Sequence, residues 1–162
     1  MNIALAGLFA GVIALDQATK WFIKNSMHLG QSVPILGDTV RITFVENDGI
    51  AFGLHIASGK FFTVLSAAAC ALIVAFFWKH RRAGNGLRSG LLLILGGAVG
   101  NLVDRIAFGR VVDFVDVGVR HIRWPVFNIA DSAVVIGTGI VLAWMIREDR
   151  KHNAHPAQSS SP

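Results

Sequence analysis

Four short polar clusters interrupt an otherwise strongly apolar chain: DQATK (16–20), GNLVDR (100–105), VVDF (111–114) and FNIAD (127–131). Each puts an aspartate in or beside a segment suited to lipid. A charged side chain near a bilayer interior costs about 3 kcal/mol on insertion scales, so ionisable groups there point to function by default. Two carboxylates brought together at an apolar boundary do not both ionise easily; one keeps its proton near neutral pH while the other loses it. Such a pair can activate a water and protonate a leaving amine. That is what hydrolysis of a peptide bond requires when no metal or covalent nucleophile takes part.

The spacing groups the candidates. Asp16 and Lys20 stand at i and i+4 on one helix face. They form either an ion pair anchoring a span end, with Lys20 reaching outward, or part of an organised site. Asn101, Asp104 and Arg105 share a second stripe, and Arg105 suits a substrate carbonyl or a lipid phosphate. Asn128 and Asp131 are three apart; an asparagine beside a carboxylate offers both a donor and an acceptor. Asp131 also fits a plain capped helix start. Asp113 follows Val111 and Val112 in a loop. Spacing alone does not choose the reacting pair among Asp104, Asp113 and Asp131.

Other chemistries find little support. The six histidines are scattered without zinc spacing, and no nucleophile elbow or phosphate loop occurs. No serine in the outer clusters stands at helical spacing from a lysine. The G-x-G-D pattern of one class of intramembrane protease has its nearest match at Leu36-Gly37-Asp38, which lacks the first glycine and lies in a loop. No cluster implies a metal or cofactor.

The elements that must carry these clusters are membrane spans. The 162 residues are 53% hydrophobic, with mean hydropathy +0.55, above the roughly 45–50% of soluble domains. Phe61–Trp78 is free of charge, and Val126–Ile146 is broken only by Asp131. Residues 87–105 and Ile3–Ile23 complete four spans in one membrane domain, residues 1–151. A cleaved signal segment competes for Ile3–Leu15, but no basic region precedes it and apolar character resumes at Trp21–Ile23. Lys79, Arg81, Arg82 and Arg88 crowd one turn. Their density makes that turn cytoplasmic, with both termini inside and every aspartate cluster at the outer face.

The outer loops, 24–60 and 106–125, are long enough to hold structure. Val40–Val45 alternates like a strand, with Pro34 and Gly37-Asp38 marking a turn before it and Asn47-Asp48-Gly49 one after it. A similar run surrounds Arg110–Val119. A small hairpin or sheet on the outer surface is expected, with Ile50–Ile56 dipping back as a short amphipathic piece. Gly96 and Gly100 allow a close helix contact. Cys70, the lone cysteine, belongs to packing. The net charge of +5 flanks spans rather than lining one face, which argues against nucleic acid. Residues 152–162 read as a disordered tail.

Five motifs in this order, DQATK, ENDGIAFG, GGAVGNLVDR, VVDFVD and FNIAD, resemble the bacterial lipoprotein signal peptidases, or signal peptidase II, from about Asp16 to Ser132. The resemblance implies an aspartyl endopeptidase of the bacterial cytoplasmic membrane. Its substrates would be prolipoproteins, cut just before a cysteine that carries diacylglycerol. It puts the catalytic dyad on Asp113 and Asp131, supported by Asp16, Lys20, Asn47, Asn101, Asp104, Arg105 and Asn128. It further implies inhibition by globomycin; a monomer among membrane lipids is expected, as is a loop around Asn47–Phe52 that closes over an extended peptide. Two rivals are a four-span proton or ion conductor, whose acids should spread along the bundle's depth, and a lipid-binding scaffold, which should tolerate Asp→Asn changes.

Overall fold

Backbone amides in lipid have no water to bond, so apolar segments of this length close their hydrogen bonds along a helix. The computed structural model describes residues 3–49 and 59–154. It contains four helices, α1 (Ile3–Ser26), α2 (Gly59–Lys79), α3 (Asn85–Phe108) and α4 (Ile129–Ala154). All four are long and apolar enough to cross a membrane. The 21 residues of α2 rise about 32 Å at 1.5 Å each, the thickness of the hydrocarbon core.

Helix ends differ from the expected ranges in an instructive way. α4 starts at Ile129 rather than Val126, because Phe127 is extended and bridges to Val115. At its other end α4 runs to Ala154, into the stretch expected as a tail. The expected amphipathic piece Ile50–Ile56 lies outside the described residues, as does the chain beyond Ala154.

α3 lies at the centre and packs against the other three helices. Small residues allow this. A Cβ on Gly97 would collide with the Ala130 carbonyl of α4, and one on Gly137 would lie 2.6 Å from the Gly90 carbonyl. Gly96 and Gly100 face α1, where a Cβ would lie 3.1 Å from Val12 and 2.6 Å from Asp16. α2 closes on α3 around buried Cys70, which packs with Leu5, Leu92 and Leu95. Gly97→Ala should therefore overpack the α3–α4 seam and cost about 1–3 kcal/mol. Gly139→Ala, with nothing within 4 Å of the new methyl, should leave the thermal midpoint in detergent unchanged.

The two loops at one end of the bundle join into a single open antiparallel sheet, in the order β1 (Ser32–Leu36), β2 (Val40–Asn47), β3 (Val111–Val119) and β4 (Ile122–Arg123). β2 and β3 match the expected strands. β1 occupies the stretch where Pro34 signals the approach to a turn. An edge strand tolerates proline, and β1 is an edge. Phe44 of β2, Val112 and Phe114 of β3 and Ile23 of α1 form a buried cluster that seats the sheet on the helices.

Candidate active site

Period-two geometry decides which way Asp113 points. Val112 and Phe114 enter the buried cluster, so Asp113 between them faces the other side of β3. Val45 of β2 pairs with Asp113 and Asn47 with Val111. Asn47 is thus the diagonal neighbour of Asp113 on the same face. Its Nδ2 donates to Asp113 Oδ2 at 3.0 Å, and its Oδ1 accepts the Gly49 amide at 2.9 Å, turning the chain there.

Asp131 is placed by the start of α4. Asn128 Oδ1 accepts the Asp131 amide at 2.9 Å, and Asp131 Oδ2 accepts the Asn128 amide at 3.1 Å. This reciprocal pair is a capping box, built here from asparagine and aspartate. The capped helix start and the placement of the acid are therefore one device. The other Asp131 oxygen, Oδ1, accepts Asn101 Nδ2 at 2.8 Å.

Asn128, fully buried, joins the two acids. Its Nδ2 donates to Asp113 Oδ1 at 2.7 Å and to Asn101 Oδ1 at 3.0 Å. Burial, opposed by the Asn47 hydrogen bond and reinforced by the Asp131 charge, pushes the Asp113 carboxyl up to about 6. Asp113 is 2% exposed.

Asp104 has different partners. Its oxygens take Lys20 Nζ at 3.0 Å, Gln17 Nε2 at 3.0 Å and the Val112 amide at 3.2 Å, which ties the end of α3 to the start of β3. Lys20 also meets Asp16 at 2.8 Å and donates to Asn101 Oδ1 at 2.9 Å. At 2% exposure it points inward and does not reach toward the interface. Asp16 further accepts the Ala130 amide at 2.9 Å, holding α1 against the first turn of α4. Arg105, half-buried on α3, lies within electrostatic range of Asp131, Asp113 and Asp104.

All nine residues singled out in the sequence thus gather at one end of the bundle. Two connected groups result: a buried ion cluster of Asp16, Lys20 and Asp104, and an acid pair, Asp113 and Asp131, bridged by Asn128. Lys20 and Asn101 link them. Sequence reasoning overlooked Gln17, although it sits inside the first motif. It also passed over Asp116, the second acid of VVDFVD. Asp116 accepts Arg123 Nε at 2.6 Å and Thr43 Oγ1 at 2.8 Å across three strands. Burial pushes its carboxyl up, but the Arg123 and Thr43 hydrogen bonds outweigh that and hold it below the ordinary aspartate value.

A cavity of about 330 Å³ opens beside Asp131, lined by Trp124, Phe127, Ser132, Val135 and Ile136. It is apolar apart from Asp131 and Ser132. Val135, 70% exposed, lies on the outward face of a membrane-crossing helix. The opening therefore faces lipid as well as the sheet.

Fold and site together define a helical, multi-pass membrane protein with an acid pair at one end of its bundle. Comparison with known proteins makes the class specific. The family model for signal peptidase (SPase) II matches residues 8–147. The lipoprotein signal peptidase of Halalkalibacterium halodurans is 39% identical over 140 residues, covering 86% of this chain and 90% of that one. Its counterpart from Geobacter sulfurreducens is 40% identical over 144 residues, covering 87% and 90%. Two solved bacterial membrane enzymes share the fold. One has a TM-score of 0.82 at 28% identity, covering 98% of this chain and 94% of its own. The other scores 0.80 at 30% identity, covering 88% and 92%. The chain belongs to the signal peptidase II family, a family of aspartic peptidases.

Proposed function

We propose that this protein removes the signal peptide from prolipoproteins, cutting before a diacylglyceryl-modified cysteine, with Asp113 and Asp131 as the catalytic dyad. The observation that carries the dyad is the shared hydrogen bonding through Asn128, while Asp104 is committed to Lys20 and Gln17. The dyad holds a water with one proton between its two carboxyls. Asp113, raised to about 6, is the acid, and Asp131 is the base. Asp131 takes a proton from the water as its oxygen adds to the scissile carbonyl, and Asp113 protonates the carbonyl oxygen. As the C–N bond breaks, the proton on Asp131 passes to the leaving amine of the cysteine and Asp113 takes back a proton from the gem-diol, which leaves a carboxylic acid and restores the dyad.

The apolar cavity beside Asp131 suits residues of the signal peptide, while the diacylglyceryl chains stay among lipids and fix the scissile bond at dyad depth. The remaining supporting residues, Asp16, Lys20, Asn101 and Arg105, position the pair. The basic density of the Lys79–Arg88 turn argues that this turn is cytoplasmic, so that the sheet and dyad face outward and both termini lie inside. The protein acts as a monomer, is sensitive to globomycin, and uses the segment around Asn47–Phe52, of which residues 50–52 lie outside the described residues, to cover the bound peptide.

The direct test is cleavage of a diacylglyceryl-modified prolipoprotein by the purified chain in detergent; failure under conditions that support a known family member would remove the reading. A pH profile tests the acid. Asp113 must carry the shared proton, so kcat/KM should fall about tenfold per pH unit above about 6. Asn47 lowers the Asp113 value by donating to its charged form. In Asn47→Ala the alkaline limb should therefore move to higher pH. A limb that stays put would show that another group titrates.

A further inference from the structure

At the end of the bundle away from the sheet, a cavity of about 480 Å³ opens beside the α2–α3 turn, lined by Phe77, Trp78, Arg81, Arg82 and Arg88. Among the described residues, none of these arginines has a carboxylate within ion-pair distance. Arg88 Nε is buried and has no hydrogen-bond partner. A buried donor left without a partner is destabilising, more so when it is charged. Arg81 is held at the cavity wall, its guanidinium 5.2 Å from the Trp78 ring and donating to the Trp78 carbonyl at 3.3 Å. The helix that follows starts after Gly84 with no side-chain cap, adding further donors and a positive helix end to the same turn.

The missing complement is an anion with several acceptor oxygens. Guanidinium groups match phosphate geometry. Trp78 and Phe77 sit at the end of a membrane-crossing helix, the depth of lipid headgroups. The volume falls in the range of small-molecule sites. We propose that this cavity is a binding site for the phosphate headgroup of an anionic membrane phospholipid, with half-buried Arg88 as its anchor through the buried Nε, and Arg81 and Arg82 at its mouth. A simpler account makes these arginines diffuse charge that only orients the span. Diffuse charge, however, gives no reason to bury Arg88 Nε or to stack Arg81 on Trp78. The site is remote from the acid pair, so the assignment is independent of the peptidase mechanism.

The test is native mass spectrometry of the full chain released from detergent, titrated with phosphatidylglycerol. One tightly retained lipid is expected for the wild type. Arg88→Gln and Arg82→Gln should each weaken retention about fivefold or more. Lys79→Gln removes one exposed charge at the same helix end without touching the cavity, and should change retention less than twofold. Arg82 is exposed, so its variant answers the question even if Arg88→Gln fails to fold. Equal losses in Lys79→Gln and Arg82→Gln would overturn the site in favour of diffuse charge. Retention of diacylglycerol as strong as that of phosphatidylglycerol would overturn the headgroup. Displacement by inorganic phosphate at equal concentration would overturn the lipid as ligand.

Discussion

Asp113→Asn and Asp131→Asn are each expected to lower the single-turnover cleavage rate on the order of 10³-fold or more while leaving the fold intact. The two variants should part company in stability. Asparagine at 131 keeps an acceptor for the Asn128 amide, so loss of the charged cap should cost about 1 kcal/mol. Asp113 carries the opposite balance. Its folded value of about 6 lies above the ordinary aspartate value, so the folded state holds this proton more tightly than the unfolded chain does. That contribution is fully present below about pH 4 and is lost as pH rises through about 6, amounting to about 3 kcal/mol. Asp113→Asn has no such proton to lose. Its melting temperature should therefore rise relative to wild type between pH 4 and pH 7, even as its activity vanishes. Parallel melting curves for the two proteins across that window would show that Asp113 is not burdened by burial. Substantial cleavage by Asp113→Asn would mean that another acid serves the reaction, and Asp104 would be the next to test.

The sequence announced the site more clearly than the sheet that holds it. Aspartates in lipid-like segments stand out because almost nothing else there is charged, and i,i+3 and i,i+4 spacing correctly joined Asp16 to Lys20 and Asn128 to Asp131. What spacing could not supply was the partner of Asp131. Asp113 reaches it through a β3 face whose direction depends on Val112 and Phe114 packing under the sheet. Asn101 reaches it only because Gly97 and Gly100 bring α3 close to α4 and α1. Such contacts depend on tertiary packing, and a helix surrounded by lipid is apolar all round, so its sequence hardly marks which face is buried. β4, two residues long, and β1, containing a proline, fell below any local signal. The start of α4 was misplaced for a related reason. Val126 and Phe127 look like the beginning of a span, yet Phe127 is spent on β3, and the capping box at Asn128 sets the true first turn.

Lys20→Met should produce the largest loss of stability of any single change at this end of the bundle. The ammonium has three donors, and its contacts to Asp16, Asp104 and Asn101 use all three. Methionine keeps much of the volume and removes every one of them. Two carboxylates that are 0% and 2% exposed then face each other without the ammonium that paired with both. Breaking a buried ion pair in this one-sided way costs about 3–5 kcal/mol. Replacing Asp104 by asparagine in the same chain removes one of the stranded charges, so Lys20→Met/Asp104→Asn should recover about 2 kcal/mol of the sum of the single losses. Strict additivity of the two changes would mean that the cluster is not coupled. Activity should report a second consequence. Asn101 Oδ1 accepts both Lys20 and Asn128, which forces its Nδ2 toward Asp131. Without Lys20 that orientation loses its charged donor, and the Asn101 hydrogen bond to Asp131 weakens while the capping box remains. The double variant, though refolded, should therefore remain slow in cleavage. A double variant as fast as wild type would make Lys20 purely a stabilising residue, with no part in setting Asn101 and the acid behind it.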